Sequence, residues 1–125
     1  MSTVYQPGVC NIGPAEIRSR RRAGIGGTIV TVLTVAAFVV FGVPDGWRWL
    51  VAIPAGVAAM GFLQSAFRFC ARFGMAGLFN FGDLGTEEAV HETEYRRADQ
   101  RKAVLISVLS LAIGILVAII AVVLP

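Results

Sequence analysis

Apolar and polar positions alternate along this chain in long blocks. Gly24 to Gly42 holds 19 positions without a charged residue. Trp49 to Phe67 is a second such stretch, and Ala103 to Leu124 a third, 22 residues long. As helices, the first would be roughly 28 Å and the third roughly 33 Å long, against a bilayer core of about 30 Å. The pattern predicts three transmembrane helices, at 24–42, 49–67 and 103–124. Between them lie a polar N-terminal segment, 1–23, and a polar loop, 68–102. The first stretch is rich in β-branched residues, among them Thr28, Ile29, Val30, Thr31 and Val32, which in water favour a strand. A lone strand in lipid leaves its backbone unsatisfied, so a helix is expected, with the threonines bonding back to its own carbonyls.

Composition narrows the class. Hydrophobic residues make up 56 % of the 125 residues and charged residues 15 %. That is too apolar for disorder and too poor in charge for an ordinary soluble domain. Two cysteines exclude a disulfide scaffold. The first stretch is longer than the ~7–15 apolar residues of a cleaved signal peptide, which marks it as a retained span.

Charge sets the orientation. Arg18, Arg20, Arg21 and Arg22 precede the first span. Arg68, Arg72, Arg96, Arg97, Arg101 and Lys102 lie between the second and third, and Arg48 alone lies on the other side. The positive-inside rule then places the N-terminus and the 68–102 loop in the cytoplasm and the C-terminus outside. Pro44-Asp45-Gly46 is a turn signal, predicting a tight antiparallel hairpin of the first two spans. Trp47 and Trp49 fall at its mouth, at headgroup level. The arginines 18, 20, 21 and 22 read as a topology anchor facing anionic lipid. A nucleic-acid patch is disfavoured, because no aromatic interleaving accompanies them.

Pro14 reads as a helix start, with Glu16 favoured in the first turn, and the helix is expected to continue into the first span. The segment from Arg68 to Gly82, aromatic and rich in glycine, predicts a short interfacial or re-entrant element packed under the hairpin. Thr86 reads as the N-cap of a further helix, with Glu87 and Glu88 in its first turn and Glu92–Arg96 as an i,i+4 pair. That helix, charged at first, would run into the third span over nearly forty residues.

Candidate chemistry is sparse. Cys10 lies just before a helix start, and Cys70 lies between Arg68 and Arg72. Both settings favour thiol reactivity, whereas the bland alternative is a small buried apolar residue. In the cytoplasm a structural disulfide between them is disfavoured. No C-x-x-C or paired-histidine spacing supports a metal, and His91 reads as a surface residue. Gly24-Ile25-Gly26-Gly27 follows no strand, so it is no dinucleotide fingerprint, and no cofactor is expected. Ala52/Gly56 and Gly114/Ala118 are small-residue pairs suited to close helix contact. Gln64, the strongly polar side chain of the second span, is expected to face the bundle interior, where it joins helices or marks a functional pocket.

The stretch from Asn11 to Arg18, the basic helix start, the hairpin, Phe69-Cys70, Gly77 and Asn80 together resemble the YgaP-like transmembrane domain family over about residues 11–80. The resemblance implies a bacterial inner-membrane module, often a helix-pair dimer, some members being fused to a sulfurtransferase domain. Two departures stand out. The family's second cysteine is replaced near Phe81 or Gly82, and Cys10 is additional. A paired-thiol role therefore does not transfer simply to Cys70.

The sequence thus predicts an all-α protein with three transmembrane helices in a bacterial cytoplasmic membrane. The expected function is non-catalytic: packing against itself as a homo-oligomer, or within a larger membrane complex. The rival is a thiol-dependent sulfur-handling or redox accessory using Cys70 and Cys10. A third possibility, an oligomeric channel or transporter component, has no ionisable residue inside the spans to support it.

Overall fold

Pro14 opens the first helix, as its missing N–H and fixed φ allow at a first helical position. In the computed structural model, which describes residues 5–125, helix α1 runs unbroken over Pro14–Val40. The first four residues of the predicted 1–23 segment lie outside the described residues. Thr28, Thr31 and Thr34 each donate to the carbonyl four residues earlier, at 2.7–2.8 Å. The β-branched run is therefore helical, as expected where helix is the only way to satisfy its backbone.

After α1 come the short helix α2 (Asp45–Arg48), a 3₁₀ turn (Trp49–Val51) and helix α3 (Ala52–Phe67). Pro54 falls in the first turn of α3, where a missing N–H is tolerated. Helix α4 (Ala71–Ala76) follows. Strands β1 (Leu78–Phe79) and β2 (Glu88–Ala89) then pair antiparallel, Leu78 opposite Ala89. Helix α5 spans Thr93–Val123. Three helical stretches, Pro14–Val40, Asp45–Phe67 and Thr93–Val123, are long and apolar enough to cross a membrane.

Two local predictions need correction. Pro44-Asp45-Gly46 does turn, the Trp47 N–H donating to the Pro44 carbonyl at 3.1 Å, but this turn opens helix α2 rather than forming a free loop. Helix α1 ends in a turn at 41–42, with Gly42 at φ +63°, and Pro44 is the N-cap of α2 with Asp45 in its first turn. An acid at that place favours helix through the dipole. Nor does Thr86 cap α5. Its hydroxyl donates to the Asp83 carbonyl at 2.6 Å within a turn, Glu88 is in a strand, and α5 begins seven residues later with Glu92 as N-cap. The helix is 31 residues long rather than nearly forty. Glu92 and Arg96 meet through backbone, Arg96 N–H to Glu92 carbonyl at 3.1 Å, while the Arg96 side chain bonds the Val90 carbonyl.

Helix α3 packs against both α1 and α5, and small residues set the approach. A Cβ on Gly61 would lie 2.5 Å from the Gly24 backbone nitrogen and 2.7 Å from the Arg20 carbonyl oxygen. One on Gly27 would lie 2.9 Å from Ala58 Cα. On the other flank, a Cβ on Gly114 would lie 2.8 Å from the Ala52 carbonyl and 3.1 Å from Gly56 Cα. Ala118 is fully buried. Gly56 itself has room, its Cβ position meeting nothing closer than the Ser110 carbonyl at 3.8 Å. Gly56, Gly114 and Ala52 thus join α3 to α5 within one chain.

Below these contacts Phe69, Ala71, Ala103 and Ile106 form a core where α4 meets α5. Fully burying a phenylalanine is worth about 1.5–3 kcal/mol, and Phe69 has no exposed surface. At the opposite end Arg48 is buried and caps α5. Its Nη1 donates to the carbonyls of Ala121 at 3.0 Å and Leu124 at 2.8 Å, and its Nε to Val43 at 3.0 Å. A cation there also suits the negative end of the helix dipole.

The backbone approaches give a direct expectation. Gly61→Ala and Gly114→Ala each push a methyl into neighbouring backbone and should cost about 1–3 kcal/mol, the usual range for overpacking. Gly56→Ala should leave stability unchanged. Thermal unfolding in detergent, followed by circular dichroism, compares the three.

Candidate functional site

The chain leaves α3 at Arg68 (φ +54°, ψ +44°), passes through Phe69 and Cys70, and re-enters helix at Ala71. Backbone groups released there are buried and need partners. Asn11 supplies them. The Cys70 N–H donates to Asn11 Oδ1 at 2.7 Å, and Asn11 Nδ2 donates to the Cys70 carbonyl at 3.2 Å. The Asn11 N–H donates to the Arg68 carbonyl at 3.2 Å. The Ala71 N–H goes to Gln64 Oε1 at 2.9 Å. Gln64 is therefore buried as expected, but it closes the α3–α4 connection rather than joining two long helices.

Asn80 is the second hub. Its N–H donates to the Asn11 carbonyl at 2.9 Å, and its own carbonyl accepts from Gly13 N–H at 2.8 Å. Its side-chain Nδ2 donates to Glu16 Oε1 at 3.2 Å and to the Asp83 carbonyl at 2.9 Å. Its Oδ1 accepts from Gly82 N–H at 3.0 Å and lies 3.0 Å from the Thr86 hydroxyl, whose one hydrogen it shares with the Asp83 carbonyl. Gly13 must be glycine here, since a Cβ would lie 2.8 Å from Phe81 Cα.

From Asn80 the network continues through charge. Glu16 Oε2 accepts from Arg20 Nη2 at 3.1 Å, an i,i+4 pair on α1. The same Nη2 lies 3.0 Å from Cys70 Sγ. Asn11, Asn80, Glu16 and Cys70 are all buried, and Ile12 and Phe73 pack with Cys70 in an apolar core. Cys10 is also buried, its thiol donating to the Ile12 carbonyl at 3.5 Å, and both cysteines are free thiols.

A separate latch ties the N-terminal segment to α5. The Tyr5 hydroxyl donates to Asp99 Oδ2, and the Gly8 N–H donates to Asp99 Oδ1 at 2.8 Å. Burial, with the adjacent Asp99 carboxylate, raises the Tyr5 phenol above its ordinary value, so it stays a donor.

The remaining sequence candidates are scattered. Arg18, Arg21 and Arg22 are exposed, but Arg20 turns inward and is not part of a uniform headgroup anchor. Trp47 and Trp49 are exposed beside the 41–44 connection. Arg48, counted in the sequence only as the sole outer cation, is a buried helix cap. Ala52, Gly56 and Gly114 lie within the α3–α5 contact, and Ala118 is buried one turn beyond Gly114 on α5. The sequence marks Glu16 only as a first-turn acid of α1, and Asn11 and Asn80 only as landmarks of the family resemblance, with no role assigned. Their recurrence among those landmarks was the available signal. No signal marked Tyr5 or Asp99, whose contact joins residues 94 positions apart.

No family model, no curated protein and no solved structure matches the chain.

Removing the Asn11 amide should orphan two buried backbone groups of Cys70, each worth about 1–3 kcal/mol. Asn11→Ala should therefore lower Tm strongly and speed maleimide labelling of Cys70. Asn11→Asp, which keeps the acceptor, should fall between it and the wild type. Equal labelling rates in all three would show that Asn11 does not hold this connection closed.

Proposed function

We propose that the protein is a non-catalytic module of a bacterial cytoplasmic membrane that works by assembly, first of all with a second copy of itself. The first two spans form a tight antiparallel hairpin. The N-terminal segment and the 68–102 region face the cytoplasm, where the charged start of α5 stands clear of the bilayer, and the C-terminal end of α5 faces outward. Likeness to the YgaP-like transmembrane domain family fits this reading.

One observation carries it. Helix α1 is covered on a single side: its buried residues are Glu16 and Gly24, and its tertiary packing is chiefly with α3. Between α1 and α5 runs an apolar groove of about 230 Å³, floored by Ala55, Ala58 and Ala59 of α3 and rimmed by Val32 and Ile113. Small residues on such a floor let a further helix approach closely. The polar groups around Asn11 and Asn80, by contrast, are bonded to one another, Arg20 Nε excepted.

The Arg20–Cys70 contact favours the rival, a thiol-based accessory, because a cation beside a sulfur promotes thiol reactivity. The sealed position of Cys70 weighs against it.

Multi-angle light scattering in detergent should give a dimer or larger assembly for the wild type. Val32→Trp, placed on the exposed groove rim, should shift it to monomer with Tm unchanged, and Cys70→Ser should leave the assembly intact. A monomeric wild type, or a Val32→Trp protein that assembles equally well, would remove the assembly reading. Rapid labelling of Cys70 at neutral pH would move the function to the thiol.

A further inference from the structure

Beside the Asn11–Asn80 network, on the flank of α1 opposite Glu16 and Arg20, lies a cavity of about 630 Å³. Arg18, Arg21 and Arg68 line it together with Phe62, Ser65 and Ala66. The charged residues at the start of α1 thus divide between two flanks. Glu16 and Arg20, four residues apart, face Cys70, while Arg18 and Arg21, three apart, share the cavity face. Among the described residues no carboxylate or other side chain bonds the guanidinium of Arg18, Arg21 or Arg68. Three cations thus surround one cavity with no described side chain to neutralise them.

Arg68 adds an independent observation. It is the one non-glycine residue with positive φ among those described, and it sits at the C-terminal cap of α3, where glycine takes this conformation without strain. Its backbone is held there by the Asn11 N–H on its carbonyl and by its own N–H on the Ser65 carbonyl at 3.3 Å. An arginine in a glycine's place puts a third guanidinium on the cavity at a conformational cost. Strain of this kind is a pointer to function when a site uses the side chain.

The wall opposite the charges is apolar. The Phe62 ring lies across Gly24, where a Cβ would come within 2.8 Å of it, and Phe62 remains partly exposed. The cavity also lies at a fixed level. Arg18 and Arg21 precede the first apolar stretch by one to two turns, and Arg68 directly follows the second. Guanidiniums at that level meet the phosphates of a bilayer, and the aromatic floor meets the first methylenes of its acyl chains.

We propose that this cavity binds the headgroup of an anionic glycerophospholipid, its phosphodiester held by Arg18, Arg21 and Arg68 and its acyl root laid on Phe62 and Ala66. Planar guanidiniums suit a phosphate through paired N–H donors. The apolar floor distinguishes a lipid from a free anion.

Native mass spectrometry of the full chain, released from detergent with palmitoyl-oleoyl phosphatidylglycerol or the matching phosphatidylcholine, reads the site directly. One phosphatidylglycerol should be retained at least tenfold in preference to phosphatidylcholine. Each of Arg18→Gln, Arg21→Gln and Arg68→Gly should weaken retention by about fivefold, which is the worth of one basic residue at an anionic surface. Arg68→Gly should keep or raise Tm, because glycine accepts φ +54° freely. The two glutamine variants, at exposed positions, provide the test should Arg68→Gly fold poorly. Arg22→Gln, equal in charge but off the cavity, should stay within twofold of the wild type. The proposal fails if the two lipids are retained equally. It fails if Arg22→Gln loses as much as Arg21→Gln, since diffuse charge then explains binding. It also fails if millimolar inorganic phosphate displaces the lipid completely, because the site then belongs to a free anion.

Discussion

An apolar helix that ends and turns back beneath its own bundle exposes backbone N–H and C=O groups with no helical partner and no ready water. Each such group left bare in an apolar setting costs several kcal/mol. Between Arg68 and Ala71 this chain meets that constraint with side-chain amides. Asn11 bonds both backbone groups of Cys70, and Gln64 takes the Ala71 N–H. An amide suits the task because it offers donor and acceptor a fixed distance apart, matching what an interrupted helix has lost.

The rest of the polar end is organised around that repair. Asn11 can reach Cys70 only if residues 10–13 are held against the bundle. Asn80 holds them, through backbone bonds to Asn11 and Gly13. Asn80 is in turn oriented by Glu16, Asp83, Gly82 and Thr86, so α1, the α3–α4 break and the 80–86 turn share one network. Buried networks of this kind are rigid when fully satisfied. Here the network also leaves Arg18 and Arg21 on the opposite flank of α1, free of internal partners.

The three apolar helices were legible because span length and hydropathy are properties of composition, and lipid leaves the backbone few alternatives. The start of α1 was legible because Pro14 and Glu16 act locally. The start of α5 was not. Thr86 is as good a cap by type as any residue there, but its hydroxyl is drawn to Asp83 and Asn80, and Asn80 is positioned by residues some seventy places earlier. The glycine and alanine pairs were legible as close contacts, yet their partner was not: Gly114 meets Ala52 and Gly56 of its own chain, and spacing alone does not tell an internal neighbour from an external one. Candidate chemistry drew attention to Cys10 and Cys70, which are buried, while Asn11 and Asn80 do the organising. Asparagine carries no charge and no reactivity, so only its partners reveal its importance.

Arg48 has a consequence in the order of synthesis. Its carbonyl partners, Ala121 and Leu124, lie 73 and 76 residues farther along the chain. A ribosome adding roughly 5–20 residues per second therefore leaves this guanidinium without them for several seconds after the first two spans have emerged. During that interval water or lipid phosphate must serve the cation. Only when the last turn of α5 arrives does the guanidinium exchange those temporary partners for backbone carbonyls. Residues 43–48 and the end of α5 are then pinned together, remote from the asparagine network. The two ends thus close at different times by different chemistry, a neutral amide at one and a buried cation at the other.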